Sequence, residues 1–353
     1  MPRVYVFLLL AAFGLGLGPA YAAPAPPPDP FTVSNIKIDA SAESATIARD
    51  QAMAQGRPLA WTRLFRRLTA SALWPKQPEL NDNALLRLIR SFEVSNERRS
   101  TTRYLAEVTF HFNPAAVRAL LRQSNIAFTE TRSRPVLVLP LIAGKQGFDP
   151  QSPWAQVWND PSLKQGLVPF VVPMLFGPEA PLLSRADLAQ LDWAAFEPLV
   201  RRYNVGEVIV AVASEDAKTV QMIEISATSR TPASFAYAQS TFLADAEAVA
   251  EKAAETWKTR NAVDYAKRAR LTADVSFDSL EEWAKIRSQL GAVKSVADVD
   301  VVGLALNEAE INVTYSGRPE QLRDALAQQN LDLRNNGGQF TLQLAGRSAA
   351  NSQ

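Results

Sequence analysis

One histidine and no cysteine limit the chemistry open to this chain. Without cysteine there are no disulfides, thiol nucleophiles, iron–sulfur clusters, cysteine zinc sites or lipid-modified N-terminal cysteine. With His111 alone, the usual histidine metal sets and Ser-His-Asp triads lack their parts. Gly144-Lys145-Gln146-Gly147 resembles a fragment of a phosphate loop, but the full G-x-x-x-x-G-K-[ST] pattern is absent, so nucleotide binding is not expected there. Trp154 and Trp158 follow, one helical turn apart. Their expected role is to hold the loop down, and ligand binding is the alternative. Arg98, Arg99 and Arg103 flank an expected hairpin. The plain reading is a solvated turn; the sharper one is a patch for an acidic partner or an anionic envelope polymer. Asp298/Asp300 and Glu308/Glu310 each place two carboxylates on one strand face. These read as solvated strand polarity, since calcium wants more oxygens from a tight loop. No catalytic residue, cofactor site or metal site is expected.

The elements that must position these residues are organised around residues 134–142, RPVLVLPLI. An apolar run of that length has no helical period and is too short for a membrane. It reads as a strand buried on both faces, the centre of a covered sheet. Residues 132–270 around it form an expected central mixed α/β sandwich. Its further strands are expected at 167–173, 205–212, 220–227 and 235–242, and a long covering helix carries Ala246, Val249, Ala253 and Trp257. The default ligand site of a partly parallel sheet lies past the strand ends, here the 143–160 loop.

Residues 31–131 form an expected N-terminal βααββα module. Residues 41–68 read as helix, with Ile47, Ala48, Ala52, Leu64, Phe65 and Leu68 on one side and with Gly56 and Pro58 kinking or splitting it. Tyr104, Ala106, Val108, Phe110 and Phe112 alternate with polar neighbours, which puts His111 on the opposite face of a half-buried strand. Over residues 31–133 there are 15 bases against 9 acids. Residues 271–345 read as a ferredoxin-like βαββαβ module. In it Asp278 and Glu281 form a capping box, Leu280, Trp283, Ile286 and Leu290 sit at helical spacing, and a hairpin turns at 335–338. Residues 346–353 are an expected disordered tail. The fold class is thus multi-domain, α+β and α/β.

The N-terminus carries an address. Arg3 precedes an apolar stretch to Leu17, and Ala20-Tyr21-Ala22 supplies small residues for cleavage after Ala22. Residues 1–22 therefore read as a signal peptide, with a retained membrane anchor as the alternative, which the short run broken by Gly14, Gly16, Gly18 and Pro19 disfavours. The proline-rich residues 23–30 read as an extended, mobile spacer. Export without cysteine suits the periplasm of a Gram-negative bacterium, where ATP-driven chemistry is not expected. No transmembrane segment is expected after signal removal. The 353-residue chain has room for two or three domains, and 47% apolar with 21% charged residues is a normal globular balance. Its 37 bases and 36 acids offer no case for nucleic acid.

With these pieces placed, the chain resembles the bacterial envelope family called domain of unknown function 2066. The likeness rests on the helix ARDQAMAQGRPLAWTRLFRRL at 48–68, the 134–142 strand with Trp154 and Trp158, RYNVGEVIVA at 202–211, and residues 277–317. The first two modules are similar in layout to envelope assembly proteins of the flagellar T-ring and curli-secretion type. The resemblance implies an exported, non-lipidated protein and supplies no catalytic residues. The expected function is non-catalytic binding of another envelope component, protein or polymer. The alternatives are a carboxylate hydrolase of envelope polymers or lipids, and a small-ligand binder using the 143–160 loop.

Overall fold

The computed structural model describes residues 29–175, 177–236, 240–327 and 329–345. The expected signal peptide, most of the spacer and the tail lie outside these residues. The last two spacer positions lie inside and are tied down rather than extended and mobile. Asp29 Oδ1 accepts from Phe31 N at 3.1 Å and Pro30 O accepts from Arg67 Nη1 at 2.9 Å. The chain builds three sheets of mixed α and β surroundings, the multi-domain α+β architecture expected.

The first sheet has the order β1-β3-β2, with β1 Thr32–Ser41, β2 Ile89–Arg99 and β3 Arg103–Phe112. The alternation in β3 sends Tyr104, Ala106, Val108, Phe110 and Phe112 into one core. Helix α1, Ala45–Leu68, covers that face. It begins four residues later than expected because Ser44 accepts from Ile47 N and caps it, leaving Ser41 in β1. It is neither split at Gly56 nor at Pro58. A Cβ on Gly56 would stand 2.6 Å from Ile38 Cγ2, so the glycine lets helix and strand touch. Ile47, expected in the core, is exposed. α2, Asp82–Leu88, and α3, Pro114–Gln123, complete the module.

The second sheet runs β5-β4-β6-β7-β8. β4, Val136–Ile142, lies parallel to β6, Glu207–Ala213, and to β5, Phe170–Val171; β7, Thr219–Ile225, and β8, Arg230–Ala236, continue antiparallel. The apolar run of β4 has a direct cause. Val136 and Val138 enter the core under α7, Phe242–Asn261, while Leu137, Leu139 and Leu141 enter another with Phe196 and Leu199 of α6, Trp193–Tyr203. Two expectations change. The strand at 167–173 shrinks to two residues, because Pro169 and Pro173 bound it and cannot donate to a ladder. Phe242 belongs to α7 rather than to a strand, because Thr241 caps the helix by accepting from Ala244 N; residues 237–239 lie outside the described ones. The short helices α4, Pro153–Gln156, and α5, Ala180–Leu183, sit in the connections.

The third sheet is β10-β11-β9-β13-β12, built from β9 Arg268–Ser276, β10 Val296–Leu304, β11 Glu308–Ser316, β12 Leu331–Asn336 and β13 Gln339–Leu344. Helices α8, Leu280–Ala292, and α9, Pro319–Ala327, pack on one side. The βαββαβ order is followed by one further strand. β12 takes the sheet edge, and β13 turns back through Gly337 and Gly338, both at positive φ, to lie parallel to β9. The capping residue of α8 is Ser279, which accepts from Glu282 N, while Glu282 reaches Asp278 N; the expected Asp278–Glu281 pair is one residue off. Leu280, at the first turn, is exposed.

Candidate functional site

The modules are joined by polar contacts that create two clefts. The larger, about 880 Å³, lies between α1 and α7. α1 presents Leu59, Thr62, Arg63 and Arg66 to it, residues three and four apart on one stripe. α7 presents Glu247, Glu251 and Lys258, with Ala254 between them. Lys37 of β1 and residues 165–167 close the sides.

At the cleft floor, Lys258 is 1% exposed. Its ammonium donates to Arg66 O at 3.0 Å and pairs with Glu251 at 3.0 Å and Glu255 at 3.4 Å. Arg66 O belongs to the last turn of α1, where unpaired carbonyls and the helix dipole favour a cation. Glu255 also accepts from Ser71 N and Oγ, each at 3.0 Å. A lysine of the second module thus caps a helix of the first.

The cationic wall has its own cause. β1 is irregular between Val33 and Ile36, where Asn35 takes a φ of 58°, and carbonyls turn toward α1. Arg67 Nη1 donates to Thr32 O at 2.6 Å and Arg63 Nη1 to Ser34 O at 3.0 Å. These anchors crowd guanidinium groups together. Burial first, and then the charges of Arg63 and Arg132, bring Arg67 down to about 10, against a smaller opposing pull from Asp29. Arg66 and Lys258 both lie over the Trp74 ring, at 4.8 and 5.4 Å. Among the described residues, Lys37, Arg63, Arg66 and Arg67 make no ion pair with a carboxylate.

The smaller cleft, about 500 Å³, lies between the first and third modules and is lined by Phe128, Glu130, Tyr265, Lys294 and Ser295. Phe128 and Tyr265 stack at 5.1 Å. Burial pushes Glu130 up, but Arg118 at 2.7 Å and Lys294 outweigh it and hold the carboxyl below its ordinary value.

The residues singled out from sequence lie elsewhere. Lys145 pairs with Glu215 at 2.9 Å on the surface and Gln146 is exposed beside it. Gly144 and Gly147, at φ 78° and 70°, make a turn, and a Cβ on Gly147 would meet the Ser184 backbone at 2.9 Å. Trp154 is 0% exposed and donates to Ala211 O at 2.9 Å; Trp158 is 3% exposed and meets Trp154 edge-on at 5.7 Å. Together they fill the space beside β4 that an open loop would leave to a ligand. Arg103 pairs with Asp39 at 2.6 Å, while Arg98 and Arg99 are exposed at the end of β2; none of the three lines either cleft. His111 bridges Thr32 Oγ1 at 3.0 Å and Glu93 at 3.2 Å, a structural placement. The cleft residues themselves escaped sequence reading. Their signal was the excess of bases in the first module and the Arg63, Arg66, Arg67 spacing on one side of α1.

One carboxylate pair stands out. Glu224, buried on β7, is pushed up first by burial and then by the charge of neighbouring Glu207; Arg260, 3.9 Å away, opposes the shift.

The fold and its clefts define a three-module α+β protein with cavities at the module seams. Comparison with protein-family models, curated proteins and solved structures finds no match.

Proposed function

We propose that this chain is a non-catalytic periplasmic protein that binds another component of the cell envelope, in an assembly or scaffold role. The observation that carries the reading is the cleft of about 880 Å³ between α1 and α7, with cations crowded on one wall. Sites of this size at the meeting of two modules bind ligands without needing reactive groups. The resemblance read from the sequence to domain of unknown function 2066, and the similarity in layout to T-ring and curli-secretion type proteins, point the same way. Export belongs to the same proposal. The mature chain should begin at Ala23 in the periplasmic fraction, and N-terminal sequencing that returns Met1 or Pro2 on membrane-bound protein refutes this.

The binding reading is tested with a photo-crosslinking amino acid at Leu59, which is 56% exposed in the cleft. Irradiation of intact envelopes should give a discrete adduct that the same probe at Lys145 does not give. Identical adducts from both positions, or none from Leu59, overturn it.

The hydrolase reading has one observation on its side, the neighbouring carboxylates Glu207 and Glu224, of which Glu224 is buried and pushed up. Neither carboxylate lines the two clefts. Glu224→Gln decides it, since a hydrolase built on this pair loses turnover of envelope polymers while cleft adducts persist.

A further inference from the structure

The α1–α7 cleft is cationic for reasons of architecture. Arg63 and Arg67 stand one turn apart and both hold β1: Arg63 spends Nη1 on Ser34 O in the irregular segment and Arg67 on Pro30 O and Thr32 O at the strand's start. Arg66 adds a third guanidinium on the same stripe of α1, kept over the Trp74 ring. Lys37 enters from β1; it lies across the strand pair from Glu107, yet no ion pair forms between them. Opposite, Glu247 accepts from Ser162 Oγ at 3.3 Å and Glu251 is held by Lys258. Four cations without paired carboxylates thus face two acids, of which Glu251 is already neutralised by Lys258 and Glu247 keeps its charge. Like charges gathered on one wall of a cleft favour a multiply charged anion over a single carboxylate. Guanidinium groups with free edges match the tetrahedral oxygens of phosphate, which carries roughly −1.5 to −2 as a monoester.

Beside the charges the cleft has apolar surface. Leu59 is exposed one turn before Arg63, and Trp74, Leu167 and Ala254 add apolar wall. The volume of about 880 Å³ far exceeds an inorganic anion and suits a phosphate carried on a sugar or a lipid headgroup.

Resting on the reading of this cleft as a binding site, we propose that its ligand is an organic phosphate, with the phosphate against Arg63 and Arg66 and the organic part against Leu59 and Trp74.

The test uses the mature chain, residues 23–353, with glucose 1-phosphate as soluble probe and phosphatidylcholine vesicles with and without phosphatidic acid as lipid probe. Calorimetry should show glucose 1-phosphate binding that weakens as salt rises, with glucose not bound. Arg66→Gln should lower affinity about tenfold or more, as loss of a charge-assisted hydrogen bond does. Glu247→Gln should raise it several-fold, a gain that misfolding cannot imitate. If only the phosphatidic acid vesicles bind, with the same two variant effects, the phosphate comes from a lipid. Binding of neither probe, equal binding of glucose, or binding unchanged in both variants overturns the proposal. Envelope adducts from Leu59 that persist beside such a failure would sink the phosphate assignment alone; loss of both would sink the cleft as a site.

Discussion

Replacing Trp154 and Trp158 separately, by Ala and by Phe, tests whether the 143–160 loop is packing or a site. Trp154 is fully enclosed between Trp158 and Phe242, each ring centroid 5.7 Å away, and its indole N–H donates to Ala211 O. Trp154→Ala should therefore cost about 3–5 kcal/mol, as buried aromatic truncations do. Trp154→Phe removes about 40 Å³ of side chain, about 1 kcal/mol at the usual cavity cost. It also removes one hydrogen bond, about another 1 kcal/mol, for a total near 2 kcal/mol. Trp158 differs in one atom's circumstances. Its ring is just as enclosed, but among the described residues its buried indole nitrogen has no hydrogen-bond partner. Trp158→Phe loses the same volume and relieves an unsatisfied donor costing about 1–3 kcal/mol, so it should be neutral or stabilising. Urea unfolding followed by far-ultraviolet circular dichroism reads all four variants. With a slope of about 2 kcal/mol per molar, Trp154→Ala should lower the midpoint by about 2 M and Trp154→Phe by about 1 M. If both Trp154 variants stay within about 0.3 M of the parent, the packing argument is wrong and the loop becomes the place to look for a ligand. Equal losses for Trp154→Phe and Trp158→Phe would refute the hydrogen-bond part of the reasoning.

Lys258→Met should destabilise by about 2–4 kcal/mol, somewhat below a wholly buried pair because Glu251 remains half in water; a loss under about 0.5 kcal/mol in the same urea assay means Lys258 does not join the modules. Gly56→Ala gains about 1 kcal/mol of helix propensity but forces its methyl into Ile38 at about 1–3 kcal/mol, so a net loss of about 0–2 kcal/mol is expected and a rise in melting temperature would refute the close-contact argument. Glu224 binds its proton more tightly folded than unfolded, so its contribution is fully present below its ordinary 4.5 and is lost as pH rises through the folded value. Glu224→Gln should therefore match the parent near pH 4 and be the more stable of the two at pH 7; a gap that shrinks with rising pH contradicts the assignment. Glu130 runs the other way. Held low by Arg118 and Lys294, it contributes stability above the ordinary carboxylate range that is lost as pH falls, and Glu130→Gln should flatten that acid limb in thermal melts.

Much of the fold was legible because its causes are local. β4 reads as an apolar run since successive residues enter two different cores, one on each face of its sheet. β3 reads as an alternation since only one face is covered, and the glycines at 337 and 338 announce a turn that needs positive φ. Gly56 shows where local reading stops. In the sequence it is a helix breaker; in the structure the helix continues, and the missing Cβ serves a contact with a strand 18 positions upstream. The candidate site was beyond reach for the same reason on a larger scale. Its walls come from β1, α1, residues 165–167 and α7, and its floor is a lysine that any pattern would assign to solvent. Lys258 is buried because the open carbonyls at the end of α1, 192 positions away, need a donor and the docking of two modules excludes water around them. The sequence alone determined which segments could be strand or helix and which chemistry was impossible. Only the tertiary structure decided which charges share a cleft, because that depends on long-range docking that leaves no period in the chain.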